Sequence, residues 1–394
     1  MENSPWRVIM IAAGASLILL FSVYFITLPK RVSFDMTKTD RILEFRSAYF
    51  SGREAGKKVW EFYAERGWSG KNNDVTYLEG VSRGKFYNDG DTIVFNLKAP
   101  SLRAWRQSKV VEAFNFSATV AFTPRGKRRY ASLAADSILY DPNNKTSTIS
   151  GKIILKDKGS RLSADKMVID HKKEMASAKG KIIVTRNDLS LSGEALEYFA
   201  KEERIDARGK IKSEIKGKPD PTLINCGYME LFADPEKDIL AGGSPEVFQG
   251  KKIVVCDNLI YNKAGNRIAL SGSVKAIIEK AQAVLKEETA GKLKSEEAKK
   301  LLYEKTFLNS DKLELSTNNG DAKAYGNVTV TQKNRVAKAD EAAYSEKTET
   351  INLSGNVYLK KENQWIKCKS IIVSVKDETF DAVGSVEAEF RIRK

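Results

Sequence analysis

From about residue 135 onward, apolar and polar positions alternate in short runs, and the runs recur. Ala135-Asp136-Ser137-Ile138-Leu139-Tyr140 passes through the polar turn Asp141-Pro142-Asn143-Asn144 to Gly151-Lys152-Ile153-Ile154-Leu155. Ala164-Asp165-Lys166-Met167-Val168-Ile169 leads likewise to Gly180-Lys181-Ile182-Ile183-Val184. Counterpart glycines follow at Gly209, Gly243, Gly272, Gly326, Gly355 and Gly384, so that the spacings are 29, 29, 34, 29, 54, 29 and 29 residues. Alternation of period two marks strands, and a recurring period marks a stacked repeat. A second set of turns, such as Lys156-Asp157-Lys158-Gly159, Lys333-Asn334-Arg335 and Lys361-Glu362-Asn363, gives each period two strands of about ten residues. The glycine inside a strand predicts a bend where a Cβ would clash. Each strand then folds over on itself, and stacking produces two facing sheets whose inner face takes every second residue. The predicted fold is all-β: an elongated, hollow antiparallel β-jellyroll built from 29-residue repeats.

Two stretches depart from this pattern. Between Lys275 and Phe307, Ala, Glu, Lys and Leu replace the β-branched residues, and Ile277, Ile278, Ala281, Val284 and Leu285 recur at helical spacing. A helical insertion over 276–307, packed on the sheet surface, is expected. Val8 to Leu28 is 21 residues without a charge, bounded by Arg7 and by Pro29-Lys30-Arg31, the length of one transmembrane helix. Bulky residues up to Pro29 argue for an uncleaved anchor. Lys30 and Arg31 would by themselves leave the large domain inside, a bias that long domains override. Residues 40–134 read as degenerate earlier periods, with Val59-Trp60-Glu61-Phe62-Tyr63-Ala64 and Leu78-Glu79-Gly80-Val81 as the first strands.

Composition narrows the chemistry. At 42% hydrophobic and 30% charged the chain is neither disordered nor multispan, and 66 basic against 51 acidic residues, a net +15, favours anionic partners. One histidine, His171, and three cysteines are too few soft ligands for a zinc site or an iron–sulfur cluster. His171 falls in a turn, where exposure is expected, and no serine-centred motif accompanies it. Cys226, Cys256 and Cys368 take the small-residue slot of Ala135, Ala164 and Ala339, so buried thiols are expected, with a Cys226–Cys256 disulfide geometrically possible. Lys152, Lys181 and Lys210 follow the glycine in consecutive periods and should form a solvated ladder on the outer face. Asp136, Asp165, Asp257, Asp311 and Asp340 recur with the fold and so read as structural. That speaks against a polysaccharide-acting β-helix enzyme, which needs clustered carboxylates. The inner positions are Ile138, Tyr140, Ile153, Leu155, Met167, Ile169, Ile182, Val184, Leu259, Tyr261, Val274, Leu313, Leu315, Val328, Val330, Val357, Leu359, Ile371 and Val373. Taken alone they suit a packed core better than a groove for acyl chains; the scarcity of phenylalanine among them is the argument for a groove, and the resemblance described below tips the reading that way. At the carboxyl end Glu389-Phe390-Arg391-Ile392-Arg393 alternates charge with apolar residues, and Phe390 and Ile392 would mark an edge open to a partner strand.

An amino-terminal anchor, the Trp60-Glu61-Phe62-Tyr63-Ala64 and Leu78-Glu79-Gly80-Val81 strands, and periods of the Ala-Asp-x-apolar type ending in Gly-x-apolar together resemble LptC, the bitopic periplasmic protein of lipopolysaccharide export. Ala339-Asp340-Glu341-Ala342-Ala343-Tyr344 with Ile351-Asn352-Leu353-Ser354-Gly355-Asn356-Val357 is similar to the repeat of its soluble partner LptA, the LptA/OstA-like family. The resemblance implies an anchor over 1–31, an LptC-like jellyroll over 40–215, further repeats over 216–275, the insertion over 276–307 and LptA/OstA-like repeats over 308–394. It also implies a non-enzymatic protein without cofactor or metal, held in the inner membrane by a single pass with its bulk in the periplasm. Such a protein receives lipopolysaccharide from an inner-membrane ABC transporter (LptBFG-like) and hands it to an LptA-like or LptD-like jelly-roll partner. The chain has no phosphate-binding loop, so ATP hydrolysis falls to a partner. A structural or adhesive β-rod is the alternative that would bind no lipid, and nucleic acid is set aside as a partner behind a membrane anchor.

Overall fold

The structure, a computed structural model, describes residues 41–70, 74–122, 128–186, 189–216, 220–232, 234, 237–262, 264–279, 296–301, 303–316, 318–319, 321–374, 377 and 379–390. The Val8 to Leu28 segment lies outside them, and no helix among the described residues is long and apolar enough to cross a membrane. Two compact units divide the chain. One runs to Ala118 and takes up Ala134–Asn144; the other holds Thr119–Leu133 and continues from Lys145.

The second unit is an antiparallel meander in which each strand pairs with the one before and the one after. Ser160–Asp170 pairs with Thr146–Asp157 and with Met175–Arg186, and the same order continues to Gln364–Ser374. The full-length ladders shift register near their middle, for example between Ser150 and Ile153, between Ser271 and Val274 and between Ser354 and Val357, and the short strands between Ile239 and Asn262 are interrupted at the same place. An extra residue in one strand bends it and steepens its twist. At these points two successive residues take left-handed backbone, as in Gly355 (φ 74) with Asn356 (φ 47). The bulges align across the sheet and make one fold line.

Along that line the repeat's aspartate has a defined task. A Cβ built on Gly180, Gly272, Gly326 or Gly355 would strike Asp165, Asp257, Asp311 or Asp340 respectively, three of them on the preceding strand and Asp257 in the break between Lys252–Val255 and Asn258–Asn262. The aspartate fills the space that the glycine leaves and ties the bulge down. Asp165 Oδ2 accepts from the Lys181 backbone N–H (3.0 Å), and Asp340 Oδ2 accepts from Asn356 Nδ2 (2.9 Å). Glu194 takes the same place against Gly209. The small-residue slot is equally structural, because Ala164, Cys226, Ala339 and Cys368 stand directly across the ladder from Ile153, Ile211, Val328 and Val357. All three cysteines are buried free thiols. The longer 34-residue period has its extra length in the connections 216–221 and 233–238, and there Gly227 stands where other periods have aspartate, against Gly243.

The first unit carries longer strands, Arg41–Glu54, Lys57–Gly70, Val75–Asn88 and Asp91–Trp105. Its core is aromatic: Trp60 stacks on Phe62, Phe62 meets Phe86 edge-on, and Phe86 stacks on Tyr140 with ring centres 4.5 Å apart. Trp60 Nε1 donates to the Lys109 carbonyl (2.8 Å), satisfying the polar end of a buried ring.

The insertion expected over 276–307 is narrower than its sequence suggests. Arg267–Ile278 is one strand and Thr306–Ser316 the next, with Ile277 opposite Phe307 and Ile278 opposite Thr306. Ile277 and Ile278 are therefore strand residues, held by ladder pairing on both sides. Helix among the described residues of this stretch is confined to Glu296–Leu301, while Ala281, Val284 and Leu285 lie outside them.

Candidate functional site

The inner face of the second unit is where both half-strands converge. Residues before and after the fold line share one core: Leu259, Leu270, Leu313 and Ala324 from one half pack with Val254, Val274, Ala276 and Val328 from the other. Two half-sheets thus face each other, joined at the fold line and ending in two rows of turns.

Burial along this face follows distance from the fold line. Ile153, Met167, Ile182, Leu259, Val274, Leu313, Val328, Val357 and Ile371, the members next to the fold line, are all buried. Two residues nearer the turns, Leu155, Ile169, Val184, Tyr261, Leu315, Val330, Leu359 and Val373 are half-exposed, whereas Ala276, Leu231 and Ile366, at the same step from Val274, Met229 and Cys368, stay buried. Such a gradient is what two sheets splayed from a common crease produce: dispersion contacts fill the crease, and an apolar trough opens toward the turns. The expected hollow interior is corrected at the crease, where Val274 and Ile371 are 0% exposed and side chains from the two halves meet. Ile138 and Tyr140 belong to the core of the first unit, both at 1% exposure. Tyr140 donates its hydroxyl to the Tyr87 carbonyl, and burial pushes its phenol above the usual range.

Further trough residues escaped the sequence pattern. Leu196 and Tyr198 occupy the places that Met167 and Ile169 hold one period earlier, with half-buried Ile205 beside them, and Leu189 and Ile215 add half-buried apolar surface at the other end of the same strands. Glu194 in place of the usual aspartate hid this period; the signal was the constant 15-residue step to Gly209.

Other expected features fall into place on the outside. Lys152, Lys181 and Lys210 are exposed, as a solvated ladder requires. His171, expected to be exposed, is instead half-buried: its Nε2 lies 2.8 Å from Ser147 Oγ, its backbone N–H donates to the Lys145 carbonyl, and desolvation lowers its pKa to about 4. It is neutral at pH 7 and packs its turn. Among the described residues no group of histidine, cysteine, aspartate or glutamate is arranged to hold a metal ion. A concavity of about 500 Å³ lined by Ser190, Ser192, Lys212, Leu223 and Phe248 lies on the outer face, back to back with Leu191 and Ile224 of the core, and is separate from the trough. At the far edge, Thr379–Val383 and Glu387–Glu389 form one strand interrupted at Gly384, and among the described residues it pairs only with Gln364–Ser374. Phe390 is 60% exposed there, and Ile392 lies outside the described residues.

A bent β-meander whose two half-sheets face each other across an apolar inner face defines a β-jellyroll. The sequence of the family described as LptA/(LptD N-terminal domain) LPS transport protein matches residues 81–175 and 163–379, well over half of the chain. The chain belongs to that family. Among solved structures it is similar to LptH, described as the LptA-homologous periplasmic component of the conserved lipopolysaccharide transport device from Pseudomonas aeruginosa. Identity to LptH is 19%, the match covers 29% of this chain and 82% of that one, and the TM-score is 0.27. No curated protein matches the chain in sequence. The family shown is that of LptA and the LptD amino-terminal domain, not LptC specifically.

Proposed function

We propose that this protein carries lipopolysaccharide along its inner face, receiving it at the inner membrane from an ABC transporter and passing it toward the outer membrane. In this reading Val8 to Leu28 anchors the chain, the body lies in the periplasm, and the first unit, with its longer strands and aromatic core, is an LptC-like base extended by LptA-like repeats. The observation that carries the reading is the burial gradient. Most periods keep one apolar residue sealed at the crease and offer the next, half-exposed, to a guest, while Leu231, Ala276 and Ile366 stay buried at that step. An acyl chain lying in the trough would meet the same surface in successive periods, so advancing by one period changes its energy little. A purely structural rod has no use for a row of half-exposed Leu, Val and Ile, whose exposure forgoes about 25 cal/mol per Å² of apolar area.

Photoreactive residues placed at Leu155, Val330 or Leu359 in cells should crosslink lipopolysaccharide, while the exposed positions Lys152 and Asn356 should not. Equal labelling of the two faces, or of neither, would remove the trough as the path.

A further inference from the structure

The two rows of turns that bound the trough differ in charge. On one lip, formed by the turns after Thr146–Asp157, Glu246–Gln249, Ala322–Gln332 and Thr350–Lys361, stand Lys158, Arg161, Lys251, Lys333 and Lys360, all exposed. Counted over its described residues, this lip has about two basic side chains for each acidic one, so like charges recur along it and are only locally offset, as by Glu304 at 3.1 Å from Lys333. On the other lip carboxylates predominate, and they are turned to the protein's own groups. Asp170 Oδ1 accepts from the backbone N–H groups of Lys172 and Lys173, Glu203 pairs with Arg129, and Asp321 Oδ1 accepts from the Glu346 N–H. Both lips border the same trough, because Leu162 and Val184 from the basic side and Tyr198 and Ile205 from the other pack on one cluster.

Resting on the lipid-carrying reading, we infer that the basic lip holds the phosphate-bearing head of the lipid and so fixes which way round it lies. A guest whose chains occupy the trough must leave its polar head at the mouth, between a lip that attracts anions and one that does not. Cations stand at intervals along the basic lip, and on consecutive turns, as at Lys333 and Lys360, they are two strands or about 10 Å apart. That spacing is close to a Debye length at physiological salt, so a phosphate leaving one turn already feels the next. The lip would keep the head on one side throughout the passage, and the chains would remain in register with the half-exposed trough residues.

The test uses the full chain in detergent and two probes, an acylated diglucosamine lipid with two phosphates and the same lipid dephosphorylated. Wild type should favour the phosphorylated probe by about tenfold, the worth of one or two charge-assisted contacts. The triple variant Lys251→Glu, Lys333→Glu, Lys360→Glu should lose that preference yet bind the dephosphorylated probe as wild type does. Lys172→Glu with Lys201→Glu and Lys347→Glu, the same change of charge on the opposite lip, should keep it. Equal binding of both probes by wild type, or equal loss in the two triple variants, overturns the assignment while leaving the trough standing. Saturable binding of inorganic phosphate alone, lost in the first variant, would reassign the lip to a free anion. Binding of neither probe by a chain with an intact circular dichroism spectrum removes the lipid-carrying reading itself, and this inference with it.

Discussion

A methyl group on Gly355 would sit 2.3 Å from Asp340 Oδ2, on a backbone whose φ is +74. Two separate costs follow, one from left-handed backbone in a residue with a Cβ and one from the clash. Gly355→Ala should therefore destabilise the second unit by about 2–3 kcal/mol. Asp340→Ala alone should cost about 1 kcal/mol, from the lost acceptor of the Asn356 amide. In the double variant the clash is gone and only the backbone cost and the lost acceptor remain, so its destabilisation should fall below the sum of the two singles. Denaturant unfolding of the three variants measures this, and strict additivity would mean that the carboxylate yields without strain. This pairing was legible in the sequence because glycine and aspartate recur 15 residues apart. The place of His171 was not, since only folding brings Ser147, 24 residues away, against its ring.

Strands declared themselves more clearly than the segments between them. Alternation over ten or more residues leaves no doubt, but Lys275-Ala276-Ile277-Ile278 is too short to separate period two from period 3.6. Its β-branched isoleucines were the better guide, and they continue the ladder to Thr306. The two possible boundaries make different predictions. Removing residues 280–304 and closing the gap with a short turn leaves the ladder from Lys275–Asn309 to Ile278–Thr306 in place, so the β-sheet spectrum and a cooperative melt should persist. Removing 276–307 takes away paired strand residues, including Ala276 in the core, and should lower the melting temperature markedly. Circular dichroism melts of both deletions decide it; equal loss in the two would show that the segment between the strands supports the sheet.

At the scale of the molecule, the period gave the antiparallel order and the crease, while the division into two units was hidden. Strand length and ring stacking distinguish the first unit, and neither leaves a repeat in the sequence. What a meander cannot supply for itself is a partner for its outermost strands, whose open backbone groups are a template for pairing. Arg41–Glu54 pairs only with Lys57–Gly70 among the described residues, and the strand at Thr379–Glu389 only with Gln364–Ser374. The second edge is also the more apolar, with Phe380, Val383, Val386 and Phe390 each more than half exposed. Backbone pairing would align an incoming jellyroll with the trough, and these side chains would supply buried area once it docked. Photoreactive residues at Val383 or Phe390 should therefore crosslink in cells to a protein of the same fold. Removing 385–394 should abolish both the remaining Val383 crosslink and lipopolysaccharide export, while the trough crosslinks at Leu155 and Val330 persist because loading lies upstream of hand-over. A truncated chain that still exports would assign docking to another surface, and one that loses the Leu155 crosslink as well would show that the edge supports the sheet rather than the partner.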